Sequence, residues 1–410
     1  MGLGRYITIA WRNLGRNRRR TVVTGSAISL GLAMFIVVMA IEDGSYRQLL
    51  ETGVSQLAGH VVVQGEGYQR NPEVTNVVES TRGVSASLDA EVEGALILRR
   101  TFVQGLLSSP AGASGVEIIG VEPDLEAQIN DLADRLIEGE WVETDLDIVV
   151  GRLLADTLDV GLGDRVVLMA SRRGDLESWL FRVSGIFETG MDEMDGFLAL
   201  AHTQAIQEMM SLGEDVHQIS VHLSDPRRTW DVLGLVQDTL EGHDLEILSW
   251  QEALPELYEL MLFDQAGTFV FIAIVAFIVG LGILNTVLMS VLERMREFGV
   301  LLSLGLSPNK LGLLVLLESL LLGIVAVAIG IGLGLLGSWP LSVWGVDATA
   351  IVGDSFEAGG VAWDMHIYAH VYPERIVTFA VAGIVVTLLA TIYPVVKAYR
   401  LQPVQAMQQH

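Results

Sequence analysis

Long apolar runs interrupt a broad region of mixed polarity, and the lengths of those runs set the fold class. Four stretches carry no charged residue over membrane-spanning length: Thr21–Ile41, Gln265–Leu292, Ser319–Val346 and Ile376–Val396. About 20 apolar residues of helix cross a bilayer core, so each qualifies. The third fits better from Leu311 to Gly337, because Trp339-Pro340 should break it and Glu318 can be carried near an end. The predicted transmembrane helices are therefore residues 19–42, 265–292, 311–337 and 376–396. A cleaved signal peptide does not suit the first, whose 21 uncharged residues exceed an h-region of roughly 7–15. Upstream, Leu3, Tyr6, Ile7, Ala10, Trp11 and Leu14 form one helical stripe, with Arg5, Arg12, Asn13 and Arg16 off it. That pattern predicts an amphipathic helix over residues 1–18 lying along the membrane surface, rather than a plain basic tail.

Residues 43–264 change period. Short runs rich in Val, Ile and Phe predict strands at His60–Gln64, Ala95–Val103, Val116–Val121, Arg165–Ala170, Trp179–Phe187, Phe197–Ala201, His217–Leu223 and Leu245–Ser249. Helical spacing fits Asp124–Ile137, Gly151–Leu158, His202–Met210, Pro226–Leu240 and Gln251–Phe263, the last running into the second span. The expected fold is an α-helical membrane protein with four transmembrane helices and a large α+β extracytoplasmic domain between the first two. That domain is expected to have two lobes, the second a β-rich insertion over about residues 125–214.

Charge orients the chain. Arg5, Arg12, Arg16, Arg18, Arg19 and Arg20 precede the first span without an acid. The segment Glu42–Asp264 holds 42 acids against 13 arginines, a net of −29 in a chain whose total is −25. By the positive-inside rule the N-terminal stretch, the loop 293–310 and the tail 397–410 are cytoplasmic, and the acidic domain and the loop 338–375 lie outside. This predicts a multi-pass membrane protein with both termini cytoplasmic and the large acidic domain on the outer side.

Several chemistries find no footing. With no cysteine there are no disulfides, thiolate metal sites or cysteine nucleophiles. The two lysines, Lys310 and Lys397, follow no glycine-rich loop, so no nucleotide P-loop is expected here. His366 and His370 stand four apart, but no HExxH frame accompanies them, and interfacial histidines are the expectation over a metal pair. Gly332, Gly334 and Gly337 match GxGxxG inside a span after no strand, whereas Gly330 and Gly334 form a GxxxG suited to close helix packing. Asp192, Glu193 and Asp195 suggest a calcium loop or an acid/base pair, but in so acidic a region they are expected to be coincidental. Glu318, an acid inside a span, has no partner at depth for a proton relay and is expected to be paired structurally or to reach the interface.

Three stretches then meet a known family. Leu284-Asn285 through Glu293-Arg294-Met295-Arg296-Glu297-Phe298-Gly299 to Leu304-Gly305-Leu306-Ser307 resembles a span ending in a charged E-R-x-R-E-I-G turn and an L-G-x-S close. Tyr393-Pro394, Ala398 and Arg400-Leu401-Gln402-Pro403-Val404-Gln405-Ala406-Met407 resemble that family's tail, and Ile148–Val166 its outer-domain motif. The family is the permease superfamily of the lipoprotein-releasing, macrolide-exporting and FtsX-like ABC systems. Gly120-Val121-Glu122-Pro123-Asp124-Leu125-Glu126, Ile137-Glu138-Gly139 and the stretch Gly185–Asp195 look most like lipoprotein-releasing permeases. Phe298 stands for the usual Ile, and Ser303 for a common Lys or Ala.

The resemblance implies a multi-pass permease subunit of the bacterial cytoplasmic (inner) membrane, with its large domain in the periplasm. It would not be an enzyme, but would couple ATP hydrolysis in a separate ABC ATPase to movement of a lipidated or amphiphilic substrate, foremost the release of lipoproteins. A cytoplasmic coupling helix would dock into the ATPase through Glu293, Arg294, Arg296, Glu297, Phe298, Gly299 and Gly305. The acyl chains would enter past Met34, Val38, Ile41, Phe269, Ile272 and Val275. No metal or cofactor is expected in this chain, ATP and Mg belonging to the partner. Expected partners are that ATPase, a second permease copy (identical or related), the lipoprotein substrate, a soluble periplasmic carrier and membrane lipids, with no nucleic acid. The rival reading is an FtsX-like signalling anchor that activates an extracytoplasmic partner such as a cell-wall hydrolase without transport. A proton-driven transporter is disfavoured for want of intramembrane acids and repeated helix bundles.

Overall fold

The computed structural model describes residues 3–16, 18–172, 174–349, 357–358, 361–362 and 366–400. The tail motif from Leu401 to Met407, and residues 350–356, 359–360 and 363–365 of the predicted outer loop, lie outside the described residues. The chain divides into two compact units. One, the membrane unit, takes in Met1–Arg47, Leu262–Asp347 and His366–His410, and the other, the α+β unit, Gln48–Met261 with Ala348–Met365. Among the described residues four helices are long and apolar enough to cross a membrane.

Helix α1 (Leu3–Arg16) carries the apolar stripe read from the sequence, and α2 (Arg18–Gly53) continues past the uncharged run by roughly three turns. Tyr6 and Ala10 of α1 are buried in one cluster with Leu314, Leu317 and Leu321 of the third span.

In the α+β unit the strands are β1 (Val61–Gly65), β2 (Ala95–Ser108), β3 (Ala113–Val121), β4 (Leu136–Gly139), β5 (Asp147–Gly151), β6 (Arg165–Arg172), β7 (Asp175–Phe187), β8 (Leu198–His202), β9 (Gln218–Leu223) and β10 (Leu245–Ser249). The helices are α3 (Thr81–Glu91), α4 (Pro123–Glu126), α5 (Arg152–Leu158), α6 (Asp192–Phe197), α7 (Thr203–Met210), α8 (Thr229–Thr239) and α9 (Trp250–Ala253). Strand β2 serves two lobes. Its first half pairs antiparallel with β9, from Ala95 opposite Leu223 to Arg100 opposite Gln218. Its second half pairs with β3, from Thr101 opposite Gly120, and with β6. The first lobe orders β10-β1-β9-β2 and packs Val61, Val63 and Val221 against Val84, Leu88, Val232 and Val236 of α3 and α8. The second adds parallel pairs, β3 with β8 and β5 with β7, around Ile118, Ile148, Leu154, Phe181 and Ile206.

Three local expectations change. The helix predicted over Asp124–Ile137 is confined to α4, a 3-10 turn at Asp131–Ala133 and strand β4. Polar pairing overrides the helical spacing: Arg100 donates to Glu126 at 2.6 Å, Asn130 Nδ2 donates to the same carboxylate at 3.1 Å, and Asn130 Oδ1 caps the Leu132 N–H at 3.1 Å. The helix predicted over Gln251–Phe263 is split at Leu254, between α9 with its Ser249/Glu252 capping box and a new helix begun by Pro255. That helix, α10 (Pro255–Glu293), contains the second span. After α11 (Met295–Ser303), helix α12 (Pro308–Trp344) runs through Pro340, and α13 (Pro373–Tyr399) follows. Pro340 sits about one turn from the end of α12, where the ring removes a single ladder bond without breaking the helix.

Small residues set the helix spacing in the membrane unit. A Cβ on Gly330 would lie 2.9 Å from the Ser29 carbonyl oxygen, and one on Gly334 would lie 2.8 Å from the Ile36 Cβ. The GxxxG thus forms a seam between α12 and α2, where Ser29 also donates to the Ala326 carbonyl at 2.7 Å.

Candidate coupling and substrate sites in the membrane unit

The charged motif after the second span forms a short helix with two unlike faces. Helix α10 stops at Glu293, and Arg294 leaves helical geometry (φ −102°, ψ 10°) before α11 begins. Gly305 closes α11 at φ +93°, a left-handed conformation open to glycine at little cost. Phe298 and Gly299 are buried, with Phe298 among Val291, Leu311 and Val315. The Arg294 side chain is turned inward too. Its Nη1 donates to the Glu318 carboxylate at 2.9 and 3.2 Å, its Nε donates to Glu297 at 3.2 Å, and its guanidinium lies 5.1 Å from the Phe298 ring centre. Glu293, Arg296 and Glu297 face outward, joined by Val300 and by Leu304, which is 79% exposed. Val300 and Leu304 lie outside the contact set expected from the motif, although their i, i+4 spacing with Arg296 is legible in the sequence.

A second feature lies between α2, α10 and α13. An apolar cavity of about 290 Å³ is lined by Ile28, Gly31, Leu32 and Phe35, by Phe269, Ile272, Val275 and Val279, and by Phe379, Gly383 and Val386. Three of the six predicted path residues, Phe269, Ile272 and Val275, meet here. The other three do not line it: Met34 is exposed, and Val38 and Ile41 are half-buried further along α2. Their places on the first span are taken by Ile28, Gly31, Leu32 and Phe35, on a face one to two turns earlier. At the end of the cavity away from α11, polar side chains tie the same three helices together. Asp43, buried, pairs with Arg375 at 2.9 Å, Thr268 donates to Glu42 at 2.9 Å, and Tyr46 donates to Asp264.

Asp195, His366 and His370 make local contacts within the fold. The Asp195 carboxylate is buried and accepts from the Thr189 N–H, the Thr189 hydroxyl and the Gly190 N–H, bracing its own turn. His366 Nε2 lies 3.0 Å from the Trp344 carbonyl oxygen, and the His370 ring meets Tyr372 edge-on. Among the described residues no group of three or more His, Asp or Glu is placed to hold a metal ion.

Two family signatures cover the chain in sequence order. Residues 21–238, more than half of its length, match the MacB-like periplasmic core domain, and residues 269–403 match the FtsX-like permease C-terminal domain. A lipoprotein-releasing system transmembrane protein LolC from Xylella fastidiosa is 24% identical over 400 residues, covering 93% of this chain and 92% of that protein. The macrolide export ATP-binding/permease protein MacB of Acinetobacter baylyi is 24% identical over 355 residues, covering 81% of this chain and 52% of that protein. Among solved structures, the periplasmic region of MacB from Actinobacillus actinomycetemcomitans superposes with a TM-score of 0.35 at 12% identity, over 48% of this chain and 91% of that one. The chain belongs to the superfamily of ABC transporter permeases that join a MacB-like periplasmic core domain to an FtsX-like permease domain.

Proposed function

We propose that this permease, driven by a separate ATPase, moves a lipidated or amphiphilic substrate, with lipoprotein release from the inner membrane as its specific role. The observation that carries the reading is the apolar cavity shared by α2, α10 and α13, in the same compact unit as the two-faced helix α11. A cavity walled by Phe, Ile, Val and Gly, with polar groups gathered at one end, suits acyl chains with a polar head and offers nothing to a hydrophilic solute. Similarity to the lipoprotein-releasing relative over 92% of that protein supports the same substrate class. The macrolide-exporting relative is named as an ATP-binding/permease protein, which supports coupling of this permease to ATP hydrolysis.

In this reading the arginine-rich N-terminus and α11 face the cytoplasm, and the acidic unit faces the periplasm. Arg296, Glu297, Val300 and Leu304 form the ATPase contact, while Arg294 and Phe298 anchor α11 from behind. The permease works as a dimer with an identical or related copy, and a soluble periplasmic carrier accepts the released lipoprotein. Photo-crosslinkers placed at Ile272 and, as lipid-facing controls, at Val270 and Phe277 test the substrate path in the complex purified with its ATPase. A lipidated protein should be captured at Ile272 without nucleotide and lost on ATP addition. Equal capture at all three positions would reject the cavity as the substrate site, and capture of a cell-wall hydrolase by the α+β unit, with no lipidated cargo, would favour the signalling anchor.

A further inference from the structure

We infer that Glu318 is a positioning residue for coupling: through its pair with Arg294 it makes α11, the α11-proximal end of α12 and helix α1 move as one body. The inference rests on the ATPase-coupled reading above and adds to it the route by which a push on α11 enters the membrane helices.

The geometry is specific. Arg294 occupies the single non-helical position between α10 and α11, so its side chain controls the angle between a membrane helix and the short helix after it. Its guanidinium crosses to α12 and binds both oxygens of Glu318, at 2.9 and 3.2 Å, with only 14% and 12% of the two side chains exposed. Asn13 of α1 places its Nδ2 3.5 Å from the same carboxylate. Three elements thus converge on one acidic side chain. Around it lies a small cavity lined by Leu14, Thr24, Ser290, Phe298 and Ser319, whose polar groups accept a charged pair at membrane depth. Apolar contacts continue the same connection, since Phe298 is buried against Leu311 and Val315 of α12, and Tyr6 and Ala10 of α1 pack on Leu314. An ion pair set in such a site fixes direction as well as distance, because the planar guanidinium is held at Nη1 by Glu318 and at Nε by Glu297 and so resists rotation. Without it α11 would keep its apolar footing but could tilt about Arg294.

The chain has no cysteine, so two labels can be introduced cleanly. In the complex with its ATPase, spin labels at Leu301→Cys on α11 and Leu313→Cys on α12 should give one narrow distance distribution, unchanged by a non-hydrolysable ATP analogue. Adding Glu318→Ala should broaden it. A shift of several ångströms on nucleotide binding in the otherwise unaltered chain, or an unchanged width in the Glu318→Ala variant, overturns the inference whatever the substrate. In the transport assay the near-isosteric Glu318→Gln should lower ATP-driven cargo release at least tenfold while the ATPase still co-purifies. The exchange Arg294→Glu with Glu318→Arg should recover more release than either single change. Release at the unaltered rate in Glu318→Gln also overturns it. Should the unaltered complex move no cargo while the distances behave as stated, the transport reading fails and the positioning role stands.

Discussion

Arg100 and Glu126 show how single residues redirect this fold. Both side chains are essentially without solvent contact and are paired at 2.6 Å, so the pair exists only because each partner compensates the other. Glu126→Ala should destabilise the protein by about 3–5 kcal/mol, the penalty for stranding a buried charge, read as a lowered thermal midpoint of the detergent-solubilised chain. Joint replacement of Arg100 by Met and Glu126 by Leu should cost less than that single change. His222 sits in the same lobe, and burial, with Arg100 and His60 adding to it, pushes its pKa down to about 3. Burial also lowers those of His60 and His217. Each of these imidazoles takes up a proton less readily in the folded chain than in the unfolded one, whose histidines titrate near about pH 6.5, so stability is lost as pH falls through that value. For His222 the loss continues towards pH 3, at about 1.4 kcal/mol per pH unit. Glu117, raised by burial, contributes the opposite slope above its ordinary range. Urea titrations of the chain and of His222→Phe between pH 7 and pH 5 isolate the histidine: the variant should show the shallower fall, and parallel curves would refute the assignment.

Among the elements, α11 and the α12 seam make opposite demands on their surfaces. In the coupling role proposed above, the outward face of α11 stays accessible, with Val300 and Leu304 exposed beside Arg296 and Glu297. Replacing Val300 and Leu304 together by Ser should weaken ATPase binding by about tenfold or more, since two partly exposed aliphatic side chains buried at a contact are worth roughly 1.5–3 kcal/mol. Co-purification and titration of the ATPase against the solubilised permease would measure it, and unaltered affinity would shift the contact to the charged residues alone. The seam must stay small. Gly334→Leu forces a branched side chain into Ile36, and the expected cost is about 1–3 kcal/mol of stability or a displaced α2. Gly332→Ala, where a Cβ meets nothing within 4 Å, is the matched control and should be neutral within about 0.5 kcal/mol.

At the scale of the whole molecule the charge distribution makes a topological prediction. A net −29 over Glu42–Asp264 opposes six arginines before the first span, and such asymmetry orients a chain during insertion. Single cysteines at Leu176, 80% exposed in the α+β unit, and at Leu304, directly after α11, should label on opposite sides. In intact spheroplasts a membrane-impermeant maleimide should modify Leu176→Cys at once and Leu304→Cys only after permeabilisation. The reverse order would invert the topology proposed above.

The amino-acid sequence by itself determined the four spans, because hydrophobic length is a one-dimensional property, and most strands of the acidic region, because their Val- and Ile-rich runs have turn residues on both sides. It located the charged motif that forms α11 and, at Gly330 and Gly334, the small residues of a packing seam. Helix α3 and the short strands β4 and β5 were not legible: the strands gain their identity by pairing with β7, a partner in the tertiary fold. The helix predicted over Asp124–Ile137 dissolved for the same reason, since Glu126 is claimed by Arg100, 26 residues earlier. Only the tertiary structure decided that Arg294 turns inward to Glu318 while Leu304 turns out. It also brought Phe269, Ile272 and Val275 into one cavity with Ile28 and Phe35 rather than with Met34. Spacing along a helix shows which residues share a face, but which neighbour that face meets is fixed by rotation and packing against other helices.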